Sequence, residues 1–349
     1  MGQTIGVKEI AKKANVSIGT VDRVLHNRNG VSEATKKKIA EIIKKYNYEP
    51  NILARRLASR KVLKFATLIP AVSEETDYWQ FPLNGILKAG TELKDFGISI
   101  KKYFFDLSDK STFTEQTNKI LKSKVDGILI SPVFAEDTKS FADACKKKNI
   151  PVVFINSDIP GSTNLCYIGP DLYKSGYLSA HLANFIINED EKILVLNISK
   201  AADSMYYIQR KEDGFRSYFR ERKKNVEVVS LNIPKTEYNS IKKELISVFE
   251  KHTIKLVFVT NSRVFYVARF LEEQGIDGIS LIGFDFIEKN LAYLEKETID
   301  FLICQRPAEQ AYQGVMALYN HLVRKEQIEK NHYMSIDIIT KENYKLYRN

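Results

Sequence analysis

From Leu63 onward the chain carries a series of short, almost uninterrupted apolar runs: Phe65–Ile69, Gly127–Ile130, Val152–Ile155, Ile193–Leu196, Leu256–Val259 and Leu281–Phe284. Stretches of helical periodicity separate them. A strand with one face in water alternates apolar and polar residues, so runs that are apolar throughout belong to parallel sheets covered on both faces by helices. Roughly 280 residues of this pattern exceed one ordinary sheet. Two similar α/β lobes are expected, with a cleft where the strand ends meet.

Of the 349 residues, 44% are hydrophobic and 28% charged, the balance of a globular protein rather than a disordered or membrane one. No uncharged apolar stretch reaches the roughly 18 residues that span a bilayer, and charges fill the first turns where a signal peptide needs an apolar run. A cytoplasmic protein with no membrane partner is expected. Cys145, Cys166 and Cys304 lie far apart without metal-ligand or CxxC spacing, so they read as buried hydrophobes, and no metal or cofactor is implied. There is no GxSxG elbow, no GxxxxGK phosphate loop and no HExxH, and His26, His181, His252, His321 and His332 are scattered. An enzyme is not indicated. A transport-associated binding protein would share the lobes, but it needs a signal peptide and no further N-terminal unit.

The net charge of +10 is unevenly placed. Residues 1–60 hold 13 Lys and Arg against five Asp and Glu, whereas the rest hold 40 against 38. A basic block of this kind serves as a solvated arm or a nucleic-acid contact, and here it is also patterned to fold. Val7, Ile10, Ala11 and Ala14 recur at helical spacing, Asn15 tolerates a left-handed turn, and Ser17 is a favoured cap for a second helix from Ile18 to His26. Ser32 caps a third helix with Ile39, Ile42 or Ile43, and Tyr46 facing inward. Two short helices joined by a tight turn form a helix-turn-helix unit.

The run Ile10-Ala11-Lys12-Lys13-Ala14-Asn15-Val16-Ser17-Ile18-Gly19-Thr20-Val21-Asp22-Arg23-Val24-Leu25 resembles the headpiece of the lactose-repressor family, whose pattern is about IAxxAGVSxxTVSRVLN, and the likeness continues through Val31–Lys36 and Tyr48–Asn51. Asp126–Leu129, Ile150–Val153, Gly169-Pro170-Asp171 with Gly176, Gly214-Phe215 and Ile282–Asp285 resemble that family's periplasmic-sugar-binding-like core. The resemblance implies a small all-α helix-turn-helix headpiece over residues 1–50, a hinge helix over 51–61, and a two-lobed type I ligand-sensing and dimerisation domain over 62–349. It also implies a repressor-type transcription regulator working as a homodimer on a palindromic operator in double-stranded DNA, under allosteric control by a small-molecule effector.

In that family the second helix lies in the major groove, which sets Ile18, Gly19 and Arg23 against base edges and Ser17 and Thr20 against phosphates. Arg23 can donate two hydrogen bonds to a guanine. Asp22 stands where the family usually has serine; its charge beside phosphates is compensated by accepting from a cytosine N4 amine or by pairing with Arg23, and the second is the role expected for it. In the hinge, Leu57 falls at the position of the wedge that opens a minor-groove base step, with Asn51 and Arg55 beside it. For the effector, the family's positions map onto Asn156, Arg210, Asn261, Asp285 and Gln305, with Trp79 or Phe81 as a platform for an apolar sugar face. Near Gly214 the match is shifted by one residue, so Lys211 competes with Arg210, and Trp79 serves equally well as a core or dimer-face residue. Such a set suits a sugar or sugar derivative.

Overall fold

The computed structural model describes residues 5–25, 28–46, 48, 62–73, 77–200 and 205–348. The chain divides into two compact units, Met1–Lys61 and Val62–Asn349. The hinge segment with Asn51, Arg55 and Leu57 lies outside the described residues, as does His26.

In the first unit, three helices α1 (Val7–Ala14), α2 (Ile18–Leu25) and α3 (Glu33–Lys45) enclose a small core in which Ile10, Val21 and Ile39 are fully buried. Local chemistry sets each boundary. The Glu9 carboxylate accepts the Gly6 N–H at 3.2 Å as α1 begins, and Asn15 ends that helix in the left-handed region at φ 56°. Ser17 Oγ accepts the Thr20 N–H at 3.1 Å and Ser32 Oγ accepts the Thr35 N–H at 3.4 Å, capping α2 and α3. Ile42, Ile43 and Tyr46 all pack on the core from α3.

The second unit has two lobes. Lobe 1 begins with β1 (Leu63–Pro70), α4 (Gln80–Leu93), β2 (Ile98–Phe105), α5 (Lys110–Lys122), β3 (Gly127–Ile130), α6 (Ala135–Lys147), β4 (Val152–Ile155) and β5 (Cys166–Gly169). The chain then builds lobe 2 from α7 (Leu172–Ala183), β6 (Lys192–Ile198), α8 (Met205–Glu221), β7 (Glu227–Ile233), α9 (Tyr238–Lys251), β8 (Ile254–Val259), α10 (Val264–Gln274), β9 (Ser280–Phe284), α11 (Glu288–Glu295) and β10 (Phe301–Cys304). It returns to lobe 1 with α12 (Pro307–Tyr319) and β11 (Asn331–Tyr333), and ends in lobe 2 with β12 (Asp337–Ile339).

The sheets run β11-β5-β4-β3-β1-β2 and β12-β10-β9-β8-β6-β7, parallel except for β12 against β10. All six apolar runs are strands. The edge strands β2 and β7 lack such runs because each leaves much of its surface in solvent. Cys145, Cys166 and Cys304 are buried, and burial pushes the first two thiols up to about 12. Among the described residues no helix is long and apolar enough to cross a membrane.

Glycine sets the closest helix contacts. A Cβ at Gly176 on α7 would land on the Lys211 carbonyl oxygen of α8, and one at Gly214 on α8 would land on the Tyr173 carbonyl of α7. Backbone meets backbone here, so no side chain can give way. At Gly90 on α4 an added Cβ meets only Ile100 Cδ1, at 3.4 Å. Gly176→Ala is therefore expected to lower the urea unfolding midpoint, with a loss of about 2 kcal/mol or more, while Gly90→Ala leaves it unchanged or raises it by up to about 1 kcal/mol through helix propensity. Equal effects of the two substitutions would overturn this account of the α7–α8 crossing.

Candidate functional site: a cleft between the lobes and an exposed headpiece helix

A cavity of about 920 Å³, counted with the solvent at its mouth, opens between the two lobes. Its walls come from the residues that follow strand C-termini. Trp79 follows β1, Ser131 follows β3 and Asn156 follows β4 in lobe 1, whereas Arg263, Asp285 and Gln305 follow β8, β9 and β10. In parallel α/β sheets this is where ligands bind, because strand-end loops and helix starts converge there.

Of the residues singled out from the sequence, the cavity gathers Trp79, Asn156, Asn261, Asp285 and Gln305. Phe81, the second residue of α4, is half-buried against the lobe 1 core and does not line it. Arg210 does not line it either: its guanidinium stands 3.8 Å from Asp213 on its own helix and 5.1 Å over the Tyr173 ring. The adjacent Lys211 does, since one residue along a helix turns a side chain by about 100°. Ser131, Lys200, Arg263 and Tyr78 also line the cavity. The signal shared by Ser131, Lys200 and Arg263 is position, one to four residues beyond an apolar run, whereas Tyr78 lies nine residues beyond Ile69 and carries no such mark.

Hydrogen bonds define what each group does. Tyr78 donates its hydroxyl to Asn156 Oδ1 at 2.7 Å, and the Asn156 N–H donates to Gln310 Oε1 at 3.0 Å. Asn261 commits its side chain to the backbone, donating to the Ile198 carbonyl at 2.6 Å and accepting the Arg263 N–H at 3.1 Å. Gln305 donates to Ser175 Oγ at 2.9 Å, tying the strand end to α7. Asn156 and Asp285 both take positive φ, 70° and 74°, a conformation Asn and Asp tolerate better than most residues. Trp79 is buried and meets Tyr78 edge-on, with ring centroids 5.1 Å apart.

Two ionisable groups form the floor. Lys211 is 4% exposed, donates Nζ to the Thr260 carbonyl at 3.0 Å, and lies 3.5 Å over the Phe284 ring. Asp285 is 9% exposed. Burial pushes the Asp285 carboxyl up to about 6 and the Lys211 ammonium down to about 8, each partly opposed by the other's charge.

The headpiece offers a second surface. Ser17, Ile18, Gly19 and Arg23 are exposed on α2 or at its start, and Ser17 Oγ and Thr20 Oγ1 are 2.9 Å apart. Asp22 pairs with Arg28, 3.3 Å away, and not with Arg23. Neighbours in a helix do not face each other, so the carboxylate reaches a residue beyond the helix end instead.

A helix-turn-helix with exposed residues on its second helix and, in the same chain, a two-lobed cleft domain define the class. A family profile for periplasmic binding protein domains matches residues 65–326, and one for bacterial regulatory proteins of the lacI family matches residues 6–51. The chain belongs, through its large unit, to the periplasmic binding protein domain family, and it carries at residues 6–51 a domain of the lacI family of bacterial regulatory proteins. Catabolite control protein A of Staphylococcus xylosus is 32% identical over 151 residues, which is 43% of this chain and 43% of that protein. The chain thus spans under half the length of the curated relatives it matches. A Bacteroides fragilis protein described as a LacI transcriptional regulator superposes with a TM-score of 0.76 at 29% identity, covering 82% of this chain and 100% of that one. The glucose-galactose binding protein GanP of Geobacillus stearothermophilus, at 22% identity and a TM-score of 0.71 over 81% of this chain and 99% of that one, shares the fold.

The raised Asp285 carboxyl has a thermodynamic consequence. A folded carboxyl that holds its proton more tightly than in the unfolded chain makes stability fall as pH rises from about 4 to about 6. Asp285→Asn removes that term, so the melting temperature of the ligand-free variant, minus that of the parent, is expected to increase between pH 4.5 and pH 7. A difference that is flat or decreasing over that range would show that Asp285 ionises without cost.

Proposed function

We propose that the protein is a sequence-specific DNA-binding transcription regulator whose operator affinity is set by a small polyhydroxyl effector held between the lobes. The observation that carries this reading is the joining, in one chain, of an exposed helix-turn-helix with a cleft lined by an aromatic platform and convergent amide, hydroxyl and charged groups. The reading takes the chain as a cytoplasmic homodimer, because two-fold symmetry presents two α2 helices to the halves of a palindrome. Residues 51–61 serve as the hinge, with Asn51, Arg55 and Leu57 at the centre of the operator. Arg23 reads a guanine, Ile18 gives apolar contact, Gly19 allows close approach, and Ser17 and Thr20 hold phosphates.

In this reading Asp22 shapes the end of α2 and has its charge partly neutralised beside the phosphates, a role supported by its 3.3 Å contact with Arg28. Effector binding controls DNA binding if the effector favours one arrangement of the lobes over another.

The test is retention of genomic DNA fragments by the purified protein at near-physiological salt, followed by sequencing. The expected result is enrichment of one palindrome. Arg23→Ala is expected to weaken binding to it about tenfold to hundredfold and to relax the preference at one base pair per half-site, whereas Ser17→Ala weakens all sequences alike. Uniform recovery that falls steeply with salt would leave the headpiece as a nonspecific basic anchor and overturn the proposal.

A further inference from the structure

An ion pair joins α2 to the loop that follows it. The Asp22 carboxylate lies 3.3 Å from Arg28 Nη1, and the Arg28 backbone N–H donates to the Arg23 carbonyl at 2.8 Å. Arg28 is thus held at two points, by its backbone to the residue assigned above to a guanine and by its guanidinium to that residue's neighbour. Its side chain is nevertheless 64% exposed. Asp22 follows Ile18 by one helical turn and shares its flank of α2, beside the exposed Gly19 and Arg23.

A carboxylate on that flank carries a cost, because it repels the phosphates that line a groove. An exposed ion pair contributes too little to stability to offset it. The balance changes if the arginine is what DNA meets. Arginine has five N–H donors in a planar fork, on a long side chain whose freedom opposes any single contact. One Nη1 donor goes to Asp22, and among the described residues the edge formed by Nε and Nη2 has no partner. Such an edge matches two oxygens of one phosphate.

Resting on the reading of α2 as the helix that reads DNA, we propose that Arg28 is a further DNA contact, made to a backbone phosphate, and that Asp22 is its positioning residue. The carboxylate fixes the fork before DNA arrives, so the ordering that opposes the contact is already complete. The contact strengthens binding without carrying base information, because every phosphate presents the same oxygens. Asp22 and Arg28 then act as one unit, and the acid favours binding only while the arginine is present.

A purely structural role for the pair makes a different demand. A cation beyond the last turn of α2 complements the helix C-terminus and holds the headpiece together without touching DNA. The two roles differ in sign at Asp22. Removing a carboxylate beside phosphates strengthens DNA binding if Arg28 makes no contact, and weakens it if Arg28 depends on the carboxylate.

The experiment is fluorescence-anisotropy titration of the full-length protein and its variants with two labelled duplexes of equal length, the enriched palindrome and a scrambled sequence, over a range of salt concentrations. Arg28→Ala is expected to weaken binding to both duplexes about tenfold per bound headpiece. It also lowers the slope of log affinity against log salt by about 0.9 for each headpiece. Arg28→Lys restores the slope but only part of the affinity, since it keeps the charge and loses the fork. Arg28→Gln, which keeps most of the reach and loses the charge, repeats the first measurement should Arg28→Ala unfold the headpiece. Asp22→Ala weakens binding about threefold in the parent, and strengthens it in the Arg28→Ala background, a reversal that a structural role does not produce.

Unchanged affinity and slope in Arg28→Ala, or an Asp22→Ala effect of the same sign in both backgrounds, overturns the contact and leaves α2 as the reading helix. Failure of the parent to bind either duplex overturns both.

Discussion

The cleft depends on a constraint of chain path: the polypeptide passes between the lobes three times, after Gly169, after Cys304 and after Tyr333, so neither lobe is continuous in sequence. The passages are tied to one another rather than left as separate linkers. Arg306, in the left-handed region at φ 51°, grips Asp337 with two hydrogen bonds of 2.7 and 3.1 Å, joining the second passage to the third. Tyr167 donates to the Pro170 carbonyl at 2.8 Å, and Gln310 donates to the Gln305 carbonyl at 2.6 Å. Gln305 Nε2, donating to Ser175 Oγ at 2.9 Å, ties the second passage to the helix that follows the first.

The electrostatics of the cleft follow from the same packing. Lys211 reaches the cleft floor because α8 crosses α7 at backbone distance, and the crossing is possible because Gly176 and Gly214 leave no side chain between them. Asp285 reaches it because Asn290 holds the strand end by donating to the Phe284 and Asp285 carbonyls at 2.9 and 3.0 Å. Two groups that would each be ordinary at a surface are thereby placed where ionisation is costly. The cleft carries a poised pair of charges, and its chemistry is that of groups waiting for hydrogen-bond partners.

Much of this was legible in the chain. Apolar runs pointed to the central strands because a strand buried on both faces needs no alternation, and Ser17, Asn15 and Ser32 marked the helix ends of the headpiece through their capping chemistry. Family positions led to Asn156, Asn261, Asp285 and Gln305, which do line one cavity. Less legible were residues whose placement depends on a rotation about a helix axis. Arg210 and Lys211 are adjacent in sequence, and only packing on α7 decides which of them turns inward. Phe81 and Trp79 differ in the same way, as do the alternative partners of Asp22.

By itself the sequence determined the alternation of strand and helix, the basic three-helix unit and the residue types available at each strand end, because these rest on local propensity and on which faces must be hidden from water. Tertiary structure alone decided which polar groups are consumed by the scaffold and which remain for a ligand. Asn261 and Lys211 illustrate the division: the amide spends a donor and an acceptor site on neighbouring backbone, whereas the ammonium spends one donor of three. Hydrogen-bond satisfaction is a property of atoms brought together from distant positions, and no local pattern encodes it.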